Sequence, residues 1–227
     1  MAHQGDVLAS LVSQEWGATP KTILDVSAGI GTQAIPLAQH GHRVVAGDIS
    51  RKSVARAKHE AIPRGVTLNV FAADMSSLPV KDESADVVMA CDNSLPHLLT
   101  EEAVRGALRE FYRCVRRGGG CLVTMRDYGP CPPSGTQERR PYGTRVIDGK
   151  PHEVRQTWTW VGSHYKLLFE IIDEETGAAV VSAETTYFAI PISRVMELML
   201  TVGFSEVHRV DDVFFQPVLL GTTQLAA

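Results

Sequence analysis

The chain has 227 residues, is 44% hydrophobic and 21% charged, and carries a formal net charge of −4. That balance suits one globular domain with a core large enough to need no metal or disulfide staple. Its longest basic clusters, Arg116-Arg117 and Arg139-Arg140, fall short of a stripe that tracks a phosphate backbone, which argues against a nucleic-acid partner. No apolar run approaches the ~18 residues of a membrane span, and no charged-then-apolar leader opens the chain. Cys91, Cys114, Cys121 and Cys131 lack the C-x-x-C spacing of a zinc or redox site. The expectation is a reduced, cytoplasmic protein with no membrane partner and no metal.

Residues before Ile23 form a short arm whose order the sequence leaves open. Short apolar runs then alternate with helical segments. Strands are expected at residues 23–26, 43–48, 67–72, 85–91 and 120–125, each a continuous rather than alternating apolar run, as in strands covered on both faces. Helices are expected at 32–40, 51–61 and 101–115. The last places Val104, Leu108, Phe111, Tyr112 and Val115 on one face and ends at Gly118-Gly119-Gly120. Residues 129–143 are rich in Pro, Gly and Arg and read as a surface loop. Strand-like segments follow at 153–161, 165–172 and 180–188, joined by hairpin-like turns. A helix from Pro191 to Thr201 and a hairpin over 207–210 and 214–220 complete the pattern. The whole predicts a single α/β domain over residues 1–227. Its doubly wound, mostly parallel, seven-stranded sheet carries an antiparallel β cap, residues 129–189, inserted after the fifth strand.

The densest chemistry follows the first strand, in Asp25-Val26-Ser27-Ala28-Gly29-Ile30-Gly31-Thr32-Gln33. A glycine turn between strand and helix lets a ligand lie against backbone N–H groups. A dinucleotide turn wants a third glycine where Ala34 stands, and Asp25 would sit poorly beside a pyrophosphate. An acid there suits a ligand bearing an ammonium group. Asp48 ends the second strand, where a carboxylate can accept two ribose hydroxyls. After the third strand come Ala73-Asp74-Met75, an acceptor for an adenine amino group with a side chain to pack on the ring. Acids at three successive strand ends stand where open α/β sheets bind ligands.

With these residues the chain resembles the class I S-adenosylmethionine-dependent methyltransferases, from about Ile23 to Leu220. The resemblance implies a Rossmann-like methyltransferase fold and S-adenosylmethionine as cofactor. Gly29 and Gly31 would lie against its methionine part, Asp48 on the ribose and Asp74 on the adenine. Asp25, Ala28, Gln33, Ile49, Ala73, Met75 and Cys91 would complete the cofactor set.

Two further motifs, Asn93-Ser94-Leu95-Pro96-His97-Leu98 and Arg126-Asp127-Tyr128, look like those of the glycine and sarcosine N-methyltransferases. On that resemblance Asn93 contacts the substrate, Arg126 clamps a carboxylate or another planar acceptor, and His97 lies nearby. N-methylation of an amine, amino acid or heteroaromatic nitrogen is therefore the expected reaction. O-methylation of a small acid or phenol in specialised metabolism is the alternative, with His97 or Tyr128 as proton acceptor. Gly129 stands where that group usually carries an aspartate, so the acceptor is not fixed as glycine. Trp158 and Trp160 are candidates to stack on a flat substrate, although alternating aromatics ordinarily form a meander's own core. Whether the protein is a monomer or an oligomer stays undecided.

Overall fold

The computed structural model describes residues 2–224. They divide into two compact units, each described by itself. The first takes in the chain up to Leu95, the segment Glu101–Asp127, and everything from Ile192 onward; the second takes in Pro96–Thr100 and Tyr128–Pro191.

At the centre of the first unit is β1 (Thr22–Asp25), flanked in parallel by β2 (Arg43–Asp48) and β4 (Ala85–Ala90). β3 (Asn69–Ala72) extends the sheet beyond β2, and β5 (Val115–Thr124) extends it beyond β4. The last two strands, β10 (Ser205–Val210) and β11 (Val218–Thr222), are antiparallel, giving the order β10-β11-β5-β4-β1-β2-β3. The chain winds outward from β1 to β3 and then restarts on the other side of β1. That reversal opens a crevice at the carboxyl ends of β1 and β4, the place where such sheets take ligands. This is the doubly wound, seven-stranded sheet that the sequence predicts.

The helices follow from their apolar stripes and caps. In α4 (Glu101–Cys114) the buried residues are Val104, Ala107, Leu108, Phe111 and Cys114, a single face at helical spacing. α3 (Arg51–Ala61) opens on Ser50, whose side chain accepts the Ser53 N–H. α5 (Ile192–Val202) buries Ile192, Val195, Leu198 and Met199. α2 (Ala34–Gln39) is shorter than the spacing predicts, because residues before Ala34 are spent in the turn that leaves β1. The arm before Ile23 is ordered as α1 (Ala2–Trp16). It buries Leu8, Leu11 and Val12, and Gly5 lets it lie so close to Pro36 that a Cβ there would overlap the ring. Among the described residues no helix is long and apolar enough to cross a membrane.

The second unit is an antiparallel sheet of β6 (Gln137–Ile147), β7 (Lys150–Val161), β8 (His164–Asp173) and β9 (Ala179–Phe188), in that order. Its first strand corrects the expectation of a loop over residues 129–143 from Gln137 onward, while residues 129–136 are irregular as expected. β6 is an edge strand exposed along almost its whole length, so it carries no apolar period to read. Pro141 is tolerated there because an edge strand need not donate on both sides, and the register shifts between Pro141 and Thr144. The β6–β7 hairpin turns at Asp148-Gly149, both with left-handed backbones (φ 49° and 79°).

A core of Trp158, Trp160, Tyr165, Leu167 and Ala189 lies within this sheet. Tyr165 stacks between Trp158 (4.2 Å between centroids) and Tyr187 (5.1 Å), and the Arg140 guanidinium lies 3.8 Å over Trp158. The Pro96–Thr100 segment belongs to the same unit: the Leu99 carbonyl lies 2.7 Å from His164 Nε2, and the His97 ring packs 4.1 Å from Tyr187.

Candidate cofactor and active site

Every candidate cofactor residue lies in a loop or strand end at the carboxyl edge of β1 to β4. The β1 turn is shaped by two glycines with left-handed backbones, Gly29 (φ 53°) and Gly31 (φ 89°). At Gly31 a side chain is excluded twice, since its Cβ would come within 2.8 Å of Ile35 Cδ1. A Cβ on Gly29 would meet nothing within 4 Å, so that side of the turn is open.

Asp48 locks this turn to the end of β2. Its Oδ2 accepts the Gly29 N–H at 2.9 Å and its Oδ1 the Ser50 N–H at 2.8 Å, which orients both oxygens while leaving each a further lone pair. Beside it Ile49 is 74% exposed, an apolar side chain left in solvent at the ligand edge. Ala73 donates its N–H to the Asp48 carbonyl at 3.1 Å, which docks the β3 loop next in line. In that loop Asp74 is exposed and accepts the Ser76 N–H and hydroxyl, an Asx turn that fixes the carboxylate, and Met75 is half-buried.

The β4 loop is tied in by Gln33, which the sequence analysis names, and by Ser27, Ser94 and Asp92, to which it gives no role. Ser27 Oγ accepts the Cys91 N–H at 3.1 Å and lies 3.0 Å from Ser94 Oγ. Buried Gln33 donates to Asp92 Oδ2 at 3.0 Å and reaches Gln4 of α1 at 3.4 Å. Asp92 and Asn93 both adopt left-handed backbones (φ 57° and 62°), a strained pair of a kind that clusters at functional sites. Two adjacent residues of the types that best tolerate that region are the only signal the sequence offers.

Asp25 dominates the electrostatics. It is fully buried; Oδ1 accepts the Ser27 N–H at 3.2 Å, and Oδ2 has no hydrogen-bond partner. Burial, reinforced by the charges of Asp92 and Asp48, pushes its carboxyl up to about 8. The buried Cys91 thiol is raised well above its ordinary range by the same desolvation, which makes it inert as a nucleophile. Among the described residues no cluster of three or more His, Cys, Asp or Glu is placed to hold a metal.

S-adenosylmethionine fits this set of groups. It offers an ammonium, a sulfonium, ribose hydroxyls and an adenine amino group to an edge lined by acceptors: the orphaned oxygen of Asp25, the oriented oxygens of Asp48 and the carboxylate of Asp74. A pyrophosphate would face the same acids and be repelled.

The acceptor-side candidates divide between the units. The chain crosses from the first unit to the second within the very motifs singled out in the sequence, after Leu95 and after Asp127. In the first unit Asn93 and Arg126 are brought together: Asn93 is 3% exposed, its Oδ1 accepts the Arg126 N–H at 3.0 Å, and its own N–H donates to the Thr124 carbonyl at 3.0 Å. Asp127 pairs with Arg209 at 2.6 Å. In the second unit His97 is exposed, with Nδ1 3.5 Å from Thr185 Oγ1 and its ring on Tyr187. The Tyr128 hydroxyl lies 3.3 Å from that of Tyr165. Trp158 and Trp160 are each 2% exposed, and their Nε1–H groups donate to Gln156 and Glu138. The structure thus gives both indoles the packing role within the sheet.

Residues 23–119 match the family model for a methyltransferase domain. The glycine/sarcosine N-methyltransferase of Parasynechococcus marenigrum is 33% identical over 153 residues, 66% of this chain and 52% of that one. The glycine/sarcosine/dimethylglycine N-methyltransferase of Actinopolyspora halophila is 30% identical over 125 residues, 54% of this chain and 22% of that one. The chain spans about half the length, or less, of these curated relatives. Among solved structures, an S-adenosylmethionine-dependent methyltransferase from Clostridium acetobutylicum superposes with a TM-score of 0.81 over 98% of this chain and 91% of that one, at 12% identity. CalS10 from Micromonospora echinaspora, an amino pentose methyltransferase, superposes with a TM-score of 0.80 over 99% and 92%, at 15% identity. Those two likenesses establish the fold. With the sequence matches they support the reading of the chain as a class I S-adenosylmethionine-dependent methyltransferase.

The Asn93 clamp leads to a prediction about stability. Asn93→Asp keeps an acceptor for the Arg126 N–H and tolerates the left-handed backbone. Asn93→Val loses both and should cost roughly 2–4 kcal/mol more than Asn93→Asp in urea unfolding. Equal costs would show that the clamp is not structural.

Proposed function

We propose that this protein methylates a nitrogen of a small molecule: an amine, an amino acid or a heteroaromatic ring. The observation that carries the reading is the Asn93–Arg126 clamp, which joins, at the ends of β4 and β5, the two motifs that resemble those of the glycine and sarcosine N-methyltransferases.

When bound, S-adenosylmethionine supplies a methyl group on a cationic sulfur. The chain's own residues hold and orient. Asp25 would accept from the ammonium, Asp48 from the ribose hydroxyls and Asp74 from the adenine amino group, with Met75 available to pack on the ring and Ile49 beside Asp48. On the acceptor side Arg126, its backbone fixed by Asn93, offers a bidentate donor face for a carboxylate or a planar group. A neutral amine already carries the lone pair that attacks, so positioning matters more than a strong base. His97 and Tyr128 remain the chain's candidate acceptors for the surplus proton. A reducing cytoplasmic setting suits the four free thiols.

The test is transfer of a labelled methyl group to a panel of glycine, sarcosine, heteroaromatic amines and phenols. Label on nitrogen is expected. Label on oxygen alone would replace this reading with O-methylation, and no transfer to any small acceptor would overturn it. Arg126→Ala should leave the affinity for S-adenosylhomocysteine within about twofold while lowering kcat/KM roughly 10- to 100-fold, the loss of a charged hydrogen-bond pair. Parallel losses in binding and turnover would remove Arg126 from the acceptor site.

A further inference from the structure

Among the described residues, the buried side-chain oxygen that the cofactor edge leaves without a hydrogen-bond partner is Oδ2 of Asp25. It is fully buried and has no hydrogen-bond partner, while Oδ1 holds only the Ser27 N–H. An ionised carboxylate in that position has lost its water and gained half of what it needs, whereas a neutral acid is far less costly to bury. The charged groups acting on it make ionisation harder still. Asp92, from the loop after β4, and Asp48, at the end of β2, are both acids, and the neighbouring Cys91 thiol is held protonated by its own burial. No cation acts on Asp25 among the described residues.

We propose that cofactor loading is a proton exchange at Asp25: the carboxyl is neutral in the cofactor-free protein and releases its proton to solvent when the cofactor's ammonium group seats against Oδ2. This rests on the methyltransferase reading of the site. The balance is simple. One O–H bond breaks, its proton goes to the buffer, the carboxylate accepts N–H donors of the ammonium, and no electrons are exchanged.

With the carboxyl raised to about 8, most molecules hold the proton at neutral pH. The apparent affinity for an ammonium-bearing ligand then rises nearly tenfold per pH unit between about pH 6 and 7.5 and levels off above 8. Cofactor-free stability moves the other way. The folded protein keeps a proton that the unfolded chain has already released, so stability is highest below the ordinary aspartate range and falls as pH rises through about 8.

The experiment is isothermal titration of the full chain at pH 7 in two buffers of different ionisation enthalpy. The probes are S-adenosylhomocysteine, which has the ammonium but no sulfonium, and methylthioadenosine, which has neither. S-adenosylhomocysteine should release close to one proton per site and methylthioadenosine close to none. Asp25→Asn, a near-isostere of the neutral acid, should abolish the release and flatten the fall in stability between pH 5 and 8.5. Tight binding of S-adenosylhomocysteine by the wild type without proton release overturns the exchange and leaves the methyltransferase reading intact. Failure of S-adenosylhomocysteine to bind would instead overturn that reading. If Asp25→Asn does not fold, the comparison of the two probes on the wild type decides the matter alone.

Discussion

Four loops leave the carboxyl ends of β1, β2, β3 and β4, and a few side-chain acceptors hold them as one surface. Asp48 takes an N–H from the β1 turn and another from its own loop, and its carbonyl takes one from the β3 loop. Ser27 takes the N–H of Cys91, and Gln33 reaches Asp92. Without this lacing the reversal of strand order beside β1 would leave a crevice with mobile walls. With it, the carboxyl groups of Asp25, Asp48 and Asp74 stand at successive strand ends before any ligand arrives, and such preorganisation lowers the cost of binding.

The same lacing concentrates negative charge. Asp25, Asp48 and Asp92 are close enough to raise the proton affinity of the one that is fully buried. Such an edge discriminates by sign: it favours a ligand that brings cationic and hydroxyl donors, and disfavours one that brings phosphates. The acids thus add to the missing third glycine at Ala34 as features that suit S-adenosylmethionine better than a dinucleotide.

Much of this was legible in the sequence. Continuous apolar runs marked the parallel strands, and the stripe from Val104 to Phe111 marked α4, because burial on a fixed face leaves a period. Asp25 and Asp48 stood out because each closes such a run, and Asp74 because it lies just past one. β6 was not, since an exposed edge strand has no buried face and its Pro141 and Gly143 imitate a loop. α1 was left open although Leu8, Leu11, Val12 and Trp16 carry helical spacing, its weak caps hiding a helix held by tertiary packing. Ser27 and Asp92 were not singled out, and Gln33 was named only for the cofactor: their tie to the β4 loop lies in partners from 59 to 67 residues away, which no local pattern encodes. Trp158 and Trp160 were legible as a pair of alternating aromatics, but whether they face a ligand or one another is decided by the strands they pair with.

The most direct test of this account is a crystal structure of the protein with S-adenosylhomocysteine. The account predicts the ligand's ammonium nitrogen at roughly 2.7–3.2 Å from Asp25 Oδ2, with both ribose hydroxyls on Asp48. A ligand bound with Asp25 Oδ2 still unpartnered, or with its ribose away from Asp48, would contradict it.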